Sequence, residues 1–404
     1  MYGLLNDKAQ RGVEGRKQLF QKLEKEVGRL GPTSKRIWFH SSSMGEFEQA
    51  KPIIAELKKR HPEIDIIVSF FSPSGYEHSQ TYKLATIITY LPFDSSSNAK
   101  RFIELIRPTA AVIVRYDIWP NHIWELHHRN IPIFIASATL RANTIRKIPL
   151  LREFHRSLYN MLNYILAVSE DDKRTFESFR LLHPVLEVVG DTRYDQVLLQ
   201  SIESKRRQVL PSNVIENKKV LIAGSTWRED EEHLLSACKQ LIKTHADLLV
   251  IIVPHEPTLE HLERLENALN GYARHIRFSE LMNYQKEQVI IIDSVGILMA
   301  LYQYAYIAFV GGSFSSGVHN VLEPAAYGAP VVVGPNHENS QEALSMVREG
   351  VVVVGENADE LSKHFKKLLD DLNTREHVSQ KLLSLLQRNA GATGRILSYL
   401  EKVL

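Results

Sequence analysis

The stretch from Ile37 to Glu46, I-W-F-H-S-S-S-M-G-E, runs from an apolar segment through small polar residues into a helical pattern. A short apolar run that ends in such a turn is typical of a strand buried on both faces. The same succession recurs where Ala110–Val114 leads into Arg115–Asn121. Buried strands that alternate with helices predict an α/β protein whose sheet is parallel and covered on both faces.

This alternation extends outward over nearly the whole chain, with one interruption. Polar residues between Leu199 and Lys218, among them Pro211, indicate a linker. We therefore predict an N-terminal domain over 1–200, a linker over 201–218, a C-terminal domain over 219–390 and a terminal helix over 391–404. Each domain is expected to be a doubly wound, Rossmann-like sheet, and the ligand is expected to bind in a central cleft between the carboxyl ends of the strands. The predicted strands are Ile37–His40, Ile64–Phe71, Ala110–Val114, Ile131–Ala136, Tyr164–Val168, Val220–Ala223, Leu248–Val253, Val289–Ile292, Ile307–Val310 and Val331–Val333.

Composition excludes several classes of function. The 404 residues carry a formal net charge of +2, and no basic patch is interleaved with aromatic residues, so a nucleic-acid partner is not expected. The single cysteine, Cys238, excludes an internal disulfide framework and a multi-cysteine metal site. No apolar run in the sequence reaches the ~18–20 residues of a membrane-spanning helix.

We call the first 36 residues the basic arm, because they contain 9 basic and 4 acidic residues. Such an arm suits an anionic membrane surface, where each cation near the lipid contributes about 1 kcal/mol. The alternative is a solvated amphipathic helix from about Asn6 to Leu30. The sequence leaves both interpretations open.

Three polar segments follow strands in the N-terminal half. Glu46 lies in the first turn of a helix, where the dipole favours a carboxylate that could act as a base, although an ordinary first-turn acid behind a serine cap has the same pattern. Ser72–Gly75 contains small residues that let backbone amides approach a ligand, as any strand-to-helix turn does. Arg115–Asn121 places charges beside Trp-Pro at a strand end, which favours a binding role for Asp117 and its neighbours.

The C-terminal half carries the denser signal. Gly224–Thr226 and Pro254-His255 follow strands, and the hydroxyls of the first segment suit a phosphate at the start of a helix. Gly311-Gly312 after another strand would permit close approach of a phosphate or a sugar. We predict a helix that begins near His319 and shares one face between His319 and Glu323. Glu323 could then accept hydrogen bonds from ribose hydroxyls, or pair with a nearby lysine or arginine.

Two other motifs favour structural interpretations. The acidic run Glu170–Asp172 follows Ser169, a pattern more typical of a helix cap than of a metal site. No lysine follows the glycine turn at Gly224 as a Walker motif requires, the segment His255–His261 lacks the spacing of zinc proteases, and no Ser/His/Asp arrangement is legible in the sequence. A hydrolase is therefore not expected.

Together these segments resemble the Kdo transferases (3-deoxy-D-manno-octulosonic acid transferases) of lipopolysaccharide biosynthesis. The likeness runs from about Lys8 to the C-terminus. The motifs that carry it are S-x-G-E at Ser43–Glu46, W-P-N at Trp119–Asn121, G-D-x-R-Y-D at Gly190–Asp195, A-G-S-T at Ala223–Thr226, and the long G-G-S…H-N-x-L-E-P-A…E-N stretch at Gly311–Asn339.

The resemblance implies a GT-B glycosyltransferase that moves Kdo from CMP-Kdo to the 6′-hydroxyl of a lipid A precursor, with inversion and without a metal or another cofactor. It implies Glu46 as the catalytic base, and we place Asp117 beside it in the catalytic group. The donor-binding positions that it implies are Ser225, Thr226, Pro254, His255, Gly312, His319, Asn320 and Glu323. For the acceptor or the Kdo carboxylate we expect Ser43, Ser74, Arg115 and Arg193.

The resemblance also implies a location and leaves alternatives. Many family members have E-T-E where this chain has Arg115-Tyr116-Asp117, so acceptor details and the number of Kdo residues added stay open. We expect a protein at the cytoplasmic face of the bacterial inner membrane, held by the basic arm or by an N-terminal anchor absent from this chain. The alternatives are a GT-B transferase or epimerase that uses a UDP-sugar, and a non-catalytic sugar-binding protein.

Overall fold

The computed structural model of the chain describes residues 7–31 and 34–404. The chain forms two compact units, each with its own parallel sheet and its own core. The N-terminal unit comprises Met1–Gln196 together with Asn389–Leu404, and the C-terminal unit comprises Val197–Arg388.

The N-terminal unit contains seven strands: β1 (Arg36–Ser41), β2 (Asp65–Phe70), β3 (Ile87–Tyr90), β4 (Ala110–Val114), β5 (Ile133–Ala138), β6 (Tyr164–Ala167) and β7 (Val185–Val188). They form one sheet in the order β3-β2-β1-β4-β5-β6-β7, in which every neighbouring pair is parallel. Its helices are α1 (Asp7–Gly15), α2 (Leu19–Val27), α3 (Met44–Arg60), α4 (Pro73–Ser79), α5 (Ser96–Ile106), α6 (Pro120–His128), α7 (Pro149–Tyr159), α8 (Glu170–Glu177) and the start of α9 (Thr192–Ser204). Consecutive residues of β1 enter different apolar clusters, Trp38 one and Phe39 the other, because side chains alternate between the two faces of a sheet.

The C-terminal unit repeats this architecture with the strands β8 (Lys219–Thr226), β9 (Leu248–Pro254), β10 (His275–Arg277), β11 (Val289–Ile291), β12 (Ile307–Val310), β13 (Val331–Val333) and β14 (Val352–Val354). The sheet order is β10-β11-β9-β8-β12-β13-β14, again with parallel pairs throughout. The remaining helices are α10 (Ser212–Ile215), α11 (Arg228–Thr244), α12 (Leu259–Leu269), α13 (Leu298–Leu301), α14 (Leu322–Ala325), α15 (Gln341–Arg348), α16 (Ala358–Asp370), α17 (Leu372–Asn389) and α18 (Ala392–Leu400). Short 3-10 helices occur at Ile145–Lys147, Phe278–Asn283, Tyr302–Tyr304 and Glu401–Val403.

The predicted fold class, α/β with two doubly wound parallel sheets, is confirmed. All ten predicted strands are present, with ends shifted by at most three residues. The four strands that the sequence did not reveal, β3, β7, β10 and β14, are the outermost strands of the two sheets. An edge strand has a single neighbour and is less completely buried, so β7 and β10 mix polar with apolar residues, whereas β14 is V-V-V and was missed although its run is apolar. In β7, V-L-E-V, exposed and half-buried residues alternate.

The segment predicted as a linker is organised differently. Helix α9 extends into the beginning of this segment and ends at Ser204, and Pro211 precedes the single-turn helix α10. Leu210 and Val214 are buried in the core of the C-terminal unit. Residues 201–218 therefore belong to that unit, because two apolar side chains are enough to attach an otherwise polar stretch to the sheet.

The predicted terminal helix is α18, and it belongs to the other unit. Its side chains Ile396, Leu397 and Leu400 are buried in the cluster that also contains Phe47 and Ile54 of α3. The chain thus returns to the N-terminal unit for its last sixteen residues, from Asn389 to Leu404.

The basic arm forms the two helices α1 and α2 and not the single helix predicted from about Asn6 to Leu30; Asn6 itself lies outside the described residues. The chain turns between them at Gln18, whose φ of 60° is left-handed. The turn directs Arg16 into the unit, where it donates hydrogen bonds of 2.7–2.8 Å to the carbonyls of Gly12, Phe71 and Leu91. Over residues 7–31 and 34–404, no helix combines the length and apolar character needed to cross a bilayer.

Candidate functional site

The sequence-predicted residues lie at the same topological position in both units. In the N-terminal sheet the strand order reverses between β1 and β4, and in the C-terminal sheet it reverses between β8 and β12. Doubly wound sheets bind ligands at this reversal, outside the carboxyl ends of the strands. Glu46 and Asp117 follow β1 and β4, whereas Ser225 and Gly312 lie at the ends of β8 and β12.

Glu46 is both a helix cap and a candidate base. It is the third residue of α3, and its Oε2 accepts a hydrogen bond of 3.0 Å from the backbone N–H of Ser43. The residue is only 6% exposed. Burial raises the pKa of Glu46, and the negative charge of Asp117 raises it further. A carboxylate of raised pKa is a stronger base than an exposed glutamate, which is the property needed to remove a proton from a hydroxyl.

Asp117 lies within electrostatic range of Glu46. Its Oδ2 accepts a short hydrogen bond from the hydroxyl of Ser42, one residue past the end of β1. Burial raises the pKa of Asp117, and the positive charge of Arg146 opposes this rise. Two like charges, one on the buried Glu46 and one on the half-buried Asp117, disfavour simultaneous ionisation, so the pair is suited to hold and exchange a proton.

A neutral histidine, His40 near the end of β1, contacts the segment that follows Asp117. The indole Nε1 of Trp119 donates a hydrogen bond of 3.1 Å to Nε2 of His40, and Nδ1 of His40 lies 2.9 Å from the Ser69 hydroxyl. Because an indole N–H only donates, Nε2 of His40 must be unprotonated. Burial lowers the pKa of His40 to about 3, which agrees with this role. His40 thereby orients the W-P-N segment.

The acceptor-side candidates differ in their surroundings. Arg115 follows β4 with a left-handed φ of 70°, its Nε is buried without a hydrogen-bond partner among the described residues, and its charge acts on Glu46. Ser43 is the N-cap residue of α3, and Ser74 lies in the first turn of α4 with its hydroxyl 3.4 Å from that of Ser72.

Arg193 forms an ion pair with a neighbouring acid of its own unit. Its guanidinium donates two hydrogen bonds, of 2.5 and 2.8 Å, to Oδ2 of Asp191, a residue that is 4% exposed. The charge of Arg193 is therefore balanced within the fold. Arg115 is the better candidate for a ligand carboxylate on this side.

The C-terminal unit contains a cavity of about 490 Å³ at its switch point. Four of the predicted donor-binding residues, Ser225, Pro254, His255 and Glu323, line it. Arg207 is the only arginine or lysine among the lining residues that the structure describes, and it enters the wall from the segment predicted as a linker. The other lining residues are Gln200, Glu203, Ser204, Val253, Ser294, Val295, Gly296, Leu298 and Met299.

A stack of rings stands at the ends of β8, β9 and β12. The ring of His255 lies 4.7 Å from that of Trp227 and 4.5 Å from that of His319. The indole of Trp227 donates a hydrogen bond of 3.0 Å to Nε2 of His319. Burial and the neighbouring His255 lower the pKa of His319 to about 4, so the imidazole is neutral near pH 7. Its proton is then on Nδ1, where it can be donated to an anionic ligand.

Asp230 organises the glycine loop, and sequence reasoning missed it. The residue is fully buried and accepts hydrogen bonds from the backbone N–H groups of Trp227 (2.9 Å), Gly312 (2.7 Å) and Phe314 (3.0 Å). It thus joins the first turn of α11 to the loop after β12. A carboxylate three residues after a possible cap was the available signal, but Arg228–Glu232 contains four acids and the sequence does not show which one is buried.

The two glycines after β12 lie against neighbouring backbone, and the predicted approach of a ligand to them stays a prediction. A Cβ at Gly311 would lie 2.4 Å from the Ser225 carbonyl oxygen, and one at Gly312 would lie 2.3 Å from the Gly317 carbonyl oxygen. These glycines make room for the chain itself.

Two further expectations are corrected. The predicted helix near His319 begins only at Leu322, as the four-residue α14, so His319 and Glu323 do not share a helix face. Asn320 causes the delay: its side chain accepts from the N–H of Leu322 at 3.1 Å and donates to Glu323 at 3.1 Å. Glu323 nevertheless lines the cavity.

Thr226 is one of the donor-binding candidates that do not line the cavity. It is fully buried, and its hydroxyl donates a hydrogen bond of 2.7 Å to Glu231. Glu231 also contacts His261 and Arg264, so Thr226 takes part in a buried ionic network behind the site. Its hydroxyl is therefore engaged within the fold, and a contact of Thr226 with the donor stays a prediction.

The acidic run Glu170–Asp172 forms the first turn of helix α8 in the structure. Ser169 accepts a hydrogen bond of 3.2 Å from the N–H of Asp172, so the acidic run is a helix cap as predicted. Within the part of the chain that the structure describes, no three His, Cys, Asp or Glu side chains form a group that could hold a metal ion.

Comparison with known proteins gives a consistent result along the chain. A family model described as 3-deoxy-D-manno-octulosonic-acid transferase (kdotransferase) matches residues 15–196, and a glycosyl transferases group 1 model matches residues 205–382. A 3-deoxy-D-manno-octulosonic acid transferase of Haemophilus influenzae is 30% identical over 95% of this chain and 92% of its own length. Its counterpart in Aquifex aeolicus is 28% identical over 82% of this chain and 86% of its own length.

Solved structures show the same fold with other ligands. A UDP-GlcNAc 2-epimerase from Neisseria meningitidis, bound to UDP-GlcNAc, superimposes with a TM-score of 0.65 at 16% identity and covers 91% of this chain and 100% of its own. At this identity the likeness concerns the fold alone, which is GT-B.

Proposed function

The chain belongs to the Kdo transferase family, and from this premise we propose that it moves Kdo from CMP-Kdo to the 6′-hydroxyl of a lipid A precursor. We propose inversion at the anomeric carbon and no participation of a metal. The observation that carries the proposal is the buried Glu46, whose pKa is raised by burial and by Asp117, at the switch point of the N-terminal sheet.

The proposed reaction begins at Glu46. Its carboxylate takes the proton of the acceptor hydroxyl, and the oxygen attacks the anomeric carbon of Kdo. The bond between that carbon and the phosphate oxygen breaks, and CMP leaves with the electron pair. Direct attack from the opposite face inverts the configuration. Proton removal by a positioned base contributes about 10²–10⁴-fold to a rate.

The C-terminal unit supplies what the leaving CMP needs in this proposal. Negative charge grows on the phosphate as the bond breaks, and donors fixed before the reaction stabilise it best. Nδ1–H of His319 is such a donor because Trp227 fixes the ring, and Arg207 provides positive charge in the wall of the cavity. Ser225, Pro254, His255 and Glu323 in the same wall would contact the nucleotide. Arg115 would hold the Kdo carboxylate.

A test of the donor separates this proposal from the UDP-sugar alternative, which the shared fold keeps open. Thermal unfolding is followed with CMP and with UDP at equal concentrations, since a ligand at 100 times its Kd stabilises by about 2.7 kcal/mol. Release of CMP from CMP-Kdo is then measured with and without the lipid A precursor. We expect stabilisation by CMP and acceptor-dependent release. Stabilisation by UDP alone would instead support the epimerase or UDP-sugar transferase.

We further propose that the protein works at the cytoplasmic face of the inner membrane, because the acceptor is a lipid. In this proposal the basic arm contributes to membrane contact. A sugar-binding protein without catalysis would bind CMP-Kdo and release no CMP, so the same assay distinguishes that alternative.

A further inference from the structure

Residues 141–156, R-A-N-T-I-R-K-I-P-L-L-R-E-F-H-R, form a surface in the N-terminal unit that combines exposed apolar and basic side chains. We call it the 141–156 surface. Five large apolar side chains stand exposed within ten residues: Ile145 (71%), Ile148 (54%), Leu150 (88%), Leu151 (40%) and Phe154 (43%). Burying such side chains together would be favourable, and the unit itself does not bury them.

The 141–156 surface is connected to the core of the unit through the end of helix α7. Helix α7 begins at Pro149, and at its other end Leu158 and Tyr159 are buried in the core of the unit. Leu150, Leu151 and Phe154 lie within one third of the helix circumference, so they form one stripe. The 3-10 turn at Ile145–Lys147 brings two more exposed apolar residues to the same segment. The apolar side chains are therefore presented by ordered secondary structure.

The charge around the stripe is predominantly positive, although Arg152 also donates a hydrogen bond of 2.7 Å to the carbonyl of Ser178. The segment contains five basic residues, Arg141, Arg146, Lys147, Arg152 and Arg156, and a single acid, Glu153. Glu153 lies 3.3 Å from Arg156 in an ion pair. A positively charged border around exposed apolar groups complements a bilayer with anionic headgroups, because the apolar groups insert while the cations meet phosphates.

The surface also adjoins the candidate base. The guanidinium of Arg146 donates two hydrogen bonds of 3.2 Å to the carbonyl of Tyr116, and its NH1 lies 3.0 Å from the Tyr159 hydroxyl. Tyr116 is 40% exposed and precedes Asp117, whose pKa burial raises and the charge of Arg146 holds back. A lipid bound at this surface would therefore have its headgroup beside the Glu46–Asp117 pair.

We propose that the 141–156 surface docks the N-terminal unit onto an anionic phospholipid bilayer. A second copy of the chain is the less suitable occupant, because two such faces would bring cations against cations. The inference holds independently of the proposed reaction, since lipid binding requires neither donor nor acceptor.

The basic arm is less available for this purpose than its charge indicates. Arg16 is turned into the unit, Arg11 pairs with Glu77 at 3.1 Å, and Lys17 pairs with Glu14 at 3.0 Å. Arg36 is 6% exposed and donates to the carbonyls of Ile106 and Gly31. These four cations of the arm contact groups within the fold, whereas Lys22, Lys25 and Arg29 of the arm are exposed, as Arg141 is.

Binding of the full chain to vesicles tests the proposal. Flotation is measured with vesicles of phosphatidylethanolamine and phosphatidylglycerol, and with vesicles of phosphatidylcholine alone. Three double variants are compared with the wild type: Leu150→Ser with Phe154→Ser, Arg141→Gln with Lys147→Gln, and Lys22→Gln with Lys25→Gln in the arm. Leu259→Ser with Met282→Ser, at exposed positions of the C-terminal unit, is the matched apolar control.

We expect the wild type to bind the anionic vesicles and each 141–156 double variant to bind them at least about tenfold more weakly. The apolar control should bind as the wild type does. The proposal would be overturned by a wild type that does not float, by 141–156 variants that float normally, or by a loss confined to the arm variant. It would also be overturned if the wild type were a dimer in sedimentation, the Leu150→Ser with Phe154→Ser variant were a monomer, and neither protein bound vesicles.

Site-specific labelling gives a second, direct measurement. The only cysteine of the chain, Cys238, is buried, and burial raises the pKa of its thiol to about 12, so it should not react with a thiol-directed dye. Leu150→Cys carrying an environment-sensitive dye should shift its emission to the blue when anionic vesicles are added. Met282→Cys with the same dye should not shift. No shift at position 150, or equal shifts at both positions, would refute the proposal while leaving the CMP-release assay unaffected.

Discussion

At the scale of single residues, the electrostatics of Glu46 and Asp117 determine what the N-terminal site can do. Glu46 is buried and Asp117 is half-buried, and burial together with the charge of Asp117 raises the pKa of Glu46. A base of raised pKa loses its proton only at higher pH. The rate should therefore fall as the pH falls through the pKa of Glu46, because the protonated form cannot accept the acceptor proton.

Asp117→Asn tests this coupling. Removal of the neighbouring negative charge lowers the pKa of Glu46, so the acid limb of the pH–rate profile should move to lower pH. Kcat/KM is measured across the acid range for the wild type and the variant. Glu63→Gln, an exposed acid of the same unit, should leave the limb in place. An acid limb that stays fixed or moves upward in Asp117→Asn would contradict the account.

Arg207 is the corresponding test in the C-terminal unit. Arg207→Gln removes the only lysine or arginine charge in the described lining of the cavity and should raise the KM for the donor about tenfold, the equivalent of roughly 1.4 kcal/mol. Steady-state kinetics with varied donor give this number. Arg206→Gln, the exposed neighbour that does not line the cavity, is the control. Equal effects of the two substitutions would show that Arg207 acts only through the general charge of the surface.

Sequence reasoning placed its candidate residues after buried strands, where the structure also has them, and what it did not foresee has physical reasons. Glu46, Asp117 and the His255–His319 region were found because they follow buried strands, where ligands of parallel sheets bind. The roles of Thr226 and Asp230 were not, since a hydroxyl or a carboxylate in a polar turn can face a ligand or the chain itself. In both cases the partner, Glu231 or the Gly312 amide, is set by tertiary packing.

At the scale of elements, the contact between the ends of β8 and β12 shapes the donor-side wall. The N–H of Gly311 donates a hydrogen bond of 2.9 Å to the carbonyl of Gly224, and the backbone of Ser225 leaves no room for a side chain at Gly311. The predicted helix at His319 failed at the same scale. Side-chain bonds of Asn320 hold the chain in a loop before α14.

Gly311→Ala should therefore separate these strand ends. A Cβ placed 2.4 Å from the Ser225 carbonyl oxygen forces the backbone apart, which should lower the free energy of unfolding by about 1–3 kcal/mol and weaken CMP binding. Chemical denaturation and CMP titration measure the two effects. Gly394→Ala, in α18 with no neighbouring atom within 4 Å, should raise stability by about 0.5–1 kcal/mol. The prediction fails if both variants behave alike.

Arg16 makes a separate prediction about the two N-terminal helices. Its guanidinium lies 4.7–4.8 Å from the ring centroids of Phe71, Tyr90 and Phe93, in addition to its three carbonyl contacts. Burial lowers its pKa to about 10. Arg16→Met leaves those carbonyls without their donor and should cost roughly 2–4 kcal/mol of unfolding free energy.

The neighbouring lysine provides the control for this experiment. Lys17→Met replaces a largely exposed side chain and should change the free energy of unfolding by no more than about 0.5 kcal/mol. Denaturant titrations of both variants give the comparison. If Arg16→Met were as stable as Lys17→Met, Arg16 would not be what attaches α1 and α2 to the sheet.

At the scale of the whole molecule, the sequence predicted two doubly wound sheets, and the structure and the comparisons agree on that fold. The outermost strands were not predicted: β7 and β10 mix polar with apolar residues, and the three-residue β14, although V-V-V, is short. Nor could the sequence assign α18 to a unit. An amphipathic helix shows which of its faces is buried but not which core buries it, and here Ile396 and Leu400 pack in the N-terminal unit.

The central claim, that this chain transfers Kdo to a lipid acceptor with Glu46 as the base, is tested most directly by mass spectrometry of the acceptor. The lipid A precursor is incubated with CMP-Kdo generated in situ and with the wild type, Glu46→Gln or Glu48→Gln, the last an acid of the same helix that pairs with Lys51. We predict a lipid heavier by whole Kdo residues with the wild type and Glu48→Gln, and a rate about 10²–10⁴-fold lower with Glu46→Gln. An unmodified lipid from the wild type, where a known Kdo transferase modifies it, or equal rates for all three proteins, would contradict the account.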